Sequence, residues 1–248
     1  MRDALGWLAV LVVVTQAVGA DPTTAEGWLE RARQQFAERK YEDAVDACTR
    51  CLARDANRDE AVDLRGSAEF MRGRFTAAVA DFDRYLKRRP EKANGHWRRG
   101  IALYYTGQYA EGMRQFEGYE RVDTNDVENA VWHLMCAARK DGLAKARGKV
   151  LKVGHDRRVP MMQVYDLYRG ALQPADVLKA AEADTVSATE RSQRRFYAHL
   201  YLGIYHDLLG EKKKAIEHLR LAAEKYHIGH YMGEVARVHL RVLSDGAR

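Results

Sequence analysis

Cysteine and proline are scarce in this 248-residue chain, with three of the first and four of the second. Cys48, Cys51 and Cys136 are an odd number and too few to build a disulfide scaffold of this size, so the fold must rest on packing. So few prolines, beside abundant Ala, Leu, Arg, Lys and Glu, leave helices uninterrupted and argue against a sheet with many turns. The reading from composition is all-α. The chain also lacks a nucleophile elbow, a phosphate loop and a dinucleotide fingerprint. That lack is the main sequence argument against an enzyme, and no catalytic residue, cofactor or metal is assigned.

No apolar run reaches the roughly 20 residues a membrane span needs. The longest, Leu5 to Val14, follows a short start with one basic residue, Arg2, and precedes Val18-Gly19-Ala20. This order is that of a secretory signal with a small-residue cleavage site. It predicts cleavage after Ala20 and an exported chain, periplasmic or secreted, without a stable membrane anchor; an uncleaved anchor is the alternative.

The formal net charge is +6, but the basic residues are dispersed in Lys87-Arg88-Arg89, Arg157-Arg158, Arg194-Arg195 and Lys212-Lys213-Lys214. Each cluster lies near acidic neighbours or at an expected helix end, where cations complement the helix dipole. No recognition motif for nucleic acid accompanies them. A solvated face is the preferred reading, and an acidic partner or an anionic wall polymer stays open.

What is present is a repeat. A shift of 34 residues superimposes Ala32, Gly66 and Gly100; Gly73 and Gly107; Tyr41, Phe75 and Tyr109; Ala44, Ala78 and Gly112. It also superimposes Cys48, Phe82 and Phe116, then Cys51, Tyr85 and Tyr119. This is the tetratricopeptide period, a helix–turn–helix unit with a small residue where the helices approach. Thr23 with Glu26, and Asn57 with Glu60, read as cap pairs, and the register places Asn94-Gly95 in the first turn of a helix. Gly203, Gly210 and Ala215 keep the spacing of Gly66, Gly73 and Ala78, so a fourth unit, opened by Ser187 with Glu190, returns near the C-terminus. The predicted organisation is a signal peptide at 1–20, three repeats over 21–125 and an irregular helical segment over 126–190. A fourth repeat follows over 191–226 and a capping helix over 227–248. The irregular segment is expected to hold a Trp132 helix, then helices over Leu143 to Val153, Met161 to Arg169 and Pro174 to Ala183. The fold class is an α-solenoid.

Between Asp59 and Leu243 the chain resembles the bacterial lipoprotein adaptor NlpI and its relatives. The resemblance is carried by Arg99-Gly100-Ile101-Ala102-Leu103-Tyr104-Tyr105, the Trp132 helix, Val164-Tyr165-Asp166-Leu167-Tyr168 with Gly170, Tyr201-Leu202-Gly203-Ile204-Tyr205 and the final helix around Val235 to Leu243. It implies a periplasmic adaptor, often a homodimer, that docks peptidoglycan hydrolases and a processing protease, with no catalytic residues to carry over. No cysteine stands directly after the predicted cleavage site, the first being Cys48, so the lipid anchor of that family is unsupported here.

Candidate sites follow from the repeat. In the third unit Trp97, Ile101, Tyr104 and Tyr105 share a stripe opposite Gly100, and the concave groove of a repeat array lies on that side. Groove candidates are Arg33, Phe70, Met71, Trp97, Arg98, Ile101, Tyr104 and Tyr105, with Trp97 and Tyr105 as anchors and Arg33 and Arg98 steering. Packing between repeats is the competing use of such aromatics. Asp63 and Ser67 stand where a lysine–asparagine carboxylate clamp would need other residues, which disfavours a cytosolic co-chaperone. Cys48-Thr49-Arg50-Cys51 is a redox spacing but sits at repeat core positions, and core packing is preferred. His227, His230 and Glu234 could approach a metal, yet match no metallohydrolase pattern, so cap or surface roles are preferred. The functional expectation is an exported scaffold for envelope enzymes, with an assembly factor for a secretion or outer-membrane complex as the rival; a metal- or thiol-dependent enzyme is the remote one.

Overall fold

A computed structural model describes residues 21–183 and 186–246. The expected signal peptide falls on residues 1–20, outside the described residues. Every regular element described is helical, and no described helix is long and apolar enough to cross a membrane.

The first six α-helices form three hairpins: α1 (Ala25–Ala37) with α2 (Tyr41–Arg54), α3 (Asp59–Met71) with α4 (Phe75–Arg88), and α5 (Trp97–Tyr105) with α6 (Tyr109–Tyr119). The second and third hairpins close because a ring of the second helix lies on bare backbone of the first. A Cβ added at Gly66 would stand 2.8 Å from Phe82 Cε1, and one at Gly100 would stand 2.6 Å from Phe116 Cζ. Gly73 and Gly107, with φ of 81° and 75°, then turn the chain in the left-handed region where other residues are strained. Polar rungs repeat with the same register. Arg65 donates to Asp81 at 2.7 Å, and Arg99, its equivalent, donates to Gln115 Oε1 at 3.3 Å.

Local signals shift three of the expected starts. Thr24 rather than Thr23 caps α1, accepting from Gly27 N–H at 3.1 Å. Asn57 does not cap α3; its own N–H is held by Asp55 Oδ1 at 3.0 Å. Asn94-Gly95 forms a turn and α5 starts only at Trp97, so the turn preference of that dipeptide overrides the repeat register. Ser187, by contrast, caps the later helix as expected, accepting from Glu190 N–H at 3.2 Å.

Helix α7 (Val127–Asp141) stacks on α6 like the first helix of another unit, but its partner α8 (Leu143–Arg147) is far shorter than the expected Leu143 to Val153. Gly148 ends it, and residues 150–157 run without regular structure back beside the start of α7. There Gly154 N–H donates to Thr124 O at 3.0 Å and His155 N–H to Asn125 Oδ1 at 2.9 Å. Helices α9 (Met161–Arg169) and α10 (Pro174–Glu182) follow, then the long α11 (Ala188–Leu208) against α12 (Lys212–Arg220), which widens into a π-helical turn at Leu221–Lys225. A Cβ added at Gly203 would stand 2.6 Å from Leu219 Cγ, as one at Gly66 would crowd Phe82. The chain ends in α13 (Tyr231–Ser244).

Between α11 and α12 three imidazoles stack. His199 and His218 share a hydrogen bond of 2.8 Å between their Nδ1 atoms, and His206 lies parallel to His218 with ring centroids 5.4 Å apart. Burial, followed by the neighbouring His218, lowers His199 from 6.5 to about 4. Burial also lowers His218.

Two measurements test this packing. Gly66→Leu is expected to lower stability by about 1–3 kcal/mol by wedging α3 from α4, read as a drop in melting temperature by circular dichroism. Between pH 6.5 and about 4 the unfolded chain binds protons that native His199 refuses, so stability falls as pH falls through that window. At about 1.4 kcal/mol per pKa unit the loss is on the order of 2–3 kcal/mol, and His199→Gln should flatten this part of the pH–stability curve.

Candidate functional site

The inner face of the repeats, where a groove was expected, is covered by the chain's own last helix. Tyr231 of α13 stacks on Phe70 with centroids 5.8 Å apart and receives the edge of Trp97 at 5.1 Å. Arg98 lies 6.0 Å over the same Tyr231 ring. Arg241 donates to the Met71 carbonyl. His239 Nε2–H donates to Asp207 at 3.3 Å, which leaves Nδ1 to accept the Tyr105 hydroxyl at 2.6 Å. Asp207 also accepts from Arg139 at 2.6 Å, and Arg139 donates to Tyr104 Oη at 3.1 Å. Farther along, Arg39, between α1 and α2, pairs with Glu234 of α13 at 2.8 Å.

The expected groove residues are therefore redistributed. Phe70, Met71, Ile101 and Tyr104 are at most 3% exposed and belong to the core. Trp97 and Tyr105 keep the expected stripe, with rings partly buried beneath α13, and Trp97 also borders open space. Arg98 is held by Asp63 at 2.6 Å and Ser67 Oγ at 2.9 Å; its steering role gives way to bridging α3 and α5. Burial raises the Asp63 carboxyl, and hydrogen bonds from His96 and Arg98 more than offset that. Arg33 lies apart from the others, donating to Glu60 at 2.9 Å on the first repeat. Periodicity told which side chains share a face; it could not tell that a helix more than a hundred residues later covers that face.

What remains open is a cavity of about 700 Å³ beside α13, between the third repeat, α7, residues 155–158 and α11. Its aromatic wall comprises Trp97, Phe116, Tyr119, Trp132, Tyr197 and Tyr231. Its floor is organised by Arg158, which is bonded to Asp126 at 2.8 Å, Glu128 at 2.6 Å and Asp156 at 2.5 Å, and lies 5.6 Å over Tyr197. Burial works against the charge of Arg158, and the three carboxylates overcome it. The fixed turn at 154–158 thus depends on an arginine that looked like part of a solvated basic pair. The signal that could have found it is the acidic spacing Asp126-Val127-Glu128 opposite Asp156-Arg157-Arg158.

The side chains weighed for other chemistry are otherwise occupied. Cys48 and Cys51 are free thiols buried in the core of the first repeat, and burial pushes Cys48 up to about 12, far from a reactive thiolate. His230 caps α13, accepting from Met232 N–H at 3.2 Å, while His227 lies 3.3 Å from Glu234. Among the described residues no group of three or more His, Cys, Asp and Glu is placed to hold a metal ion.

Residues 64–126, from within α3 to the N-cap of α7, match the tetratricopeptide repeat family model. Among solved structures the chain is similar to MamA residues 41–end from Desulfovibrio magneticus RS-1, at 18% identity and a TM-score of 0.50 over 83% of this chain and 96% of that one. It is also similar to a tetratricopeptide repeat protein from Parabacteroides merdae ATCC 43184, at 15% identity and a TM-score of 0.53 over 91% and 86% of the two chains. At these identities the likeness is one of fold. The architecture is a tetratricopeptide-type α-solenoid, a class that serves protein–protein interaction.

The contact between α13 and the repeats makes a direct prediction. Tyr231→Ala removes the ring between Phe70 and Trp97 and should cost about 2–5 kcal/mol, measured by urea denaturation. Tyr105→Phe, which deletes only the hydroxyl paired with His239, should cost about 1 kcal/mol in the same assay.

Proposed function

We propose that this protein is an exported scaffold that holds other proteins in the cell envelope, and that its partner surface is the cavity beside α13. The observation that carries the reading is the cavity itself. Beside the contacts that α13 makes with the repeats, aromatic and charged side chains line open space here. Its size lies in the roughly 300–1,000 Å³ range of ligand sites, and a few aromatic anchors set in a polar rim are what an interface hot spot requires. The buried, high-pKa thiols and the occupied histidines favour binding over catalysis.

Placement in the envelope rests on the N-terminal apolar run with Val18-Gly19-Ala20, and the likeness to NlpI-type adaptors rests on the segments around Gly100, Tyr165 and Gly203. Both favour envelope enzymes, such as peptidoglycan hydrolases or a protease, as the proteins held. N-terminal sequencing of the exported chain should begin at Asp21; retention of Met1 would remove the envelope part of the reading.

Affinity capture from envelope extract with wild-type and Tyr119→Ala baits tests the surface. Loss of an aromatic anchor should weaken the captured partner by about 2 kcal/mol, roughly 30-fold. A partner retained at wild-type strength would mean that the cavity is not the interface.

A further inference from the structure

We propose that the cavity beside α13 is a pocket for a basic side chain, a lysine or arginine presented by an extended segment of a partner protein. The inference rests on the cavity being the partner surface and adds what that surface selects. Its first ground is charge. Asp123, Asp126, Glu128 and Asp156 line the cavity against two guanidiniums, Arg157 and Arg158. Arg158 is the chain's own cation in this site, and it is one guanidinium among three carboxylates. It holds Asp156 below the usual carboxylate range but does not compensate the other two fully. Burial still raises the carboxyls of Asp126 and Glu128 despite their bonds to Arg158, so both would gain from a second cation nearby.

The second ground is unmet hydrogen bonding. Three buried polar atoms on residues of this wall have no protein partner: Asn129 Oδ1, Trp132 Nε1 and Tyr231 Oη. Asn129 is 5% exposed and Trp132 only 1%, so leaving these groups empty is costly. Asn129 can only accept at that atom and Trp132 can only donate, while Tyr231 can do either. All three atoms are closed to solvent, so a bound ammonium or guanidinium and its main-chain carbonyl would meet the acceptor and the indole N–H only with a shift of the wall. The aromatic wall adds cation–π attraction, which Arg158 already makes with Tyr197.

A second space of about 520 Å³ adjoins the first, sharing Arg157, Arg158, Tyr197 and His230 with it. Its charge is opposite: Arg157, Arg158 and Arg194 line it with a single carboxylate, Glu190. Two joined compartments of opposite sign suit an extended polypeptide that crosses both, and a small free cation would use only the first.

The test is selection of random heptapeptides on the intact chain, followed by anisotropy titration of the selected sequences. Selected peptides should carry a lysine or arginine whose replacement by glutamine weakens binding about tenfold or more, with affinity falling as salt is added. Asp123 is exposed, so Asp123→Lys should keep the circular dichroism spectrum while weakening the same peptides at least about fivefold. Peptides that bind without a basic residue, or that ignore Asp123→Lys, would overturn the pocket while leaving the scaffold reading in place. Selection of no peptide would also overturn it, and envelope capture would then judge the scaffold reading separately. Spermidine binding as tightly as the peptides would reassign the cavity to small cations and overturn the proposal too.

Discussion

The ring of Tyr231, stacked on Phe70 and met by the edge of Trp97, joins the last helix to the inner face of the second and third repeats. Much else depends on that contact. It brings His239 to Tyr105 and Asp207, carries Glu234 to Arg39, and leaves the cavity over Trp132 as the open remainder of the inner face. An amphipathic helix laid into a groove is a familiar mode of peptide recognition. Here both partners belong to one chain, so the repeat surface already holds a helical ligand supplied at fixed distance.

The same contact separates two kinds of polar group. Those at the α13 seam are paired in chains that converge on a carboxylate, as in Tyr105–His239–Asp207–Arg139. At the cavity Arg158 is shared among three acids, and Asn129 uses its amide N–H for Phe116 O while its oxygen stays free. Buried polar groups are normally satisfied, and three of the unpaired ones among the described residues lie on residues of this wall. Dispersed basic clusters elsewhere are neutralised locally: Arg88 pairs with Asp59 at 2.8 Å and Arg195 with Glu182 at 2.6 Å, which leaves no single cationic field on the described surface from these residues.

The repeat was legible because it is enforced by contacts within one unit. Gly66 against Phe82 and Gly100 against Phe116 are short-range requirements, and each leaves a mark at a constant interval. The first hairpin is legible for the same reason even though Cys48 replaces the ring, since Ala32 supplies the matching small side chain and both are fully buried. Where a local preference competed with the interval, as at Asn94-Gly95, the local preference prevailed. The site was poorly legible because it is made at long range. Arg158 reaches Asp126 and Glu128 across a turn of irregular chain, and Tyr231 reaches Phe70 across most of the molecule, so neither pairing leaves a period to read.

In an ordinary repeat array each unit touches only its neighbours, and the terminal units fray independently of one another. The seating of α13 removes that independence. Phe36 and Tyr41 of the first repeat pack against the same core that contains Val235 and Val238 of the last helix, so the two ends of the array are spatial neighbours. Peeling away either end exposes apolar surface belonging to the other. Phe36, Tyr41 and the Arg39–Glu234 pair thus link the opening of the last helix to that of the first hairpin, which keeps a core of its own around Trp28, Leu29 and Cys48.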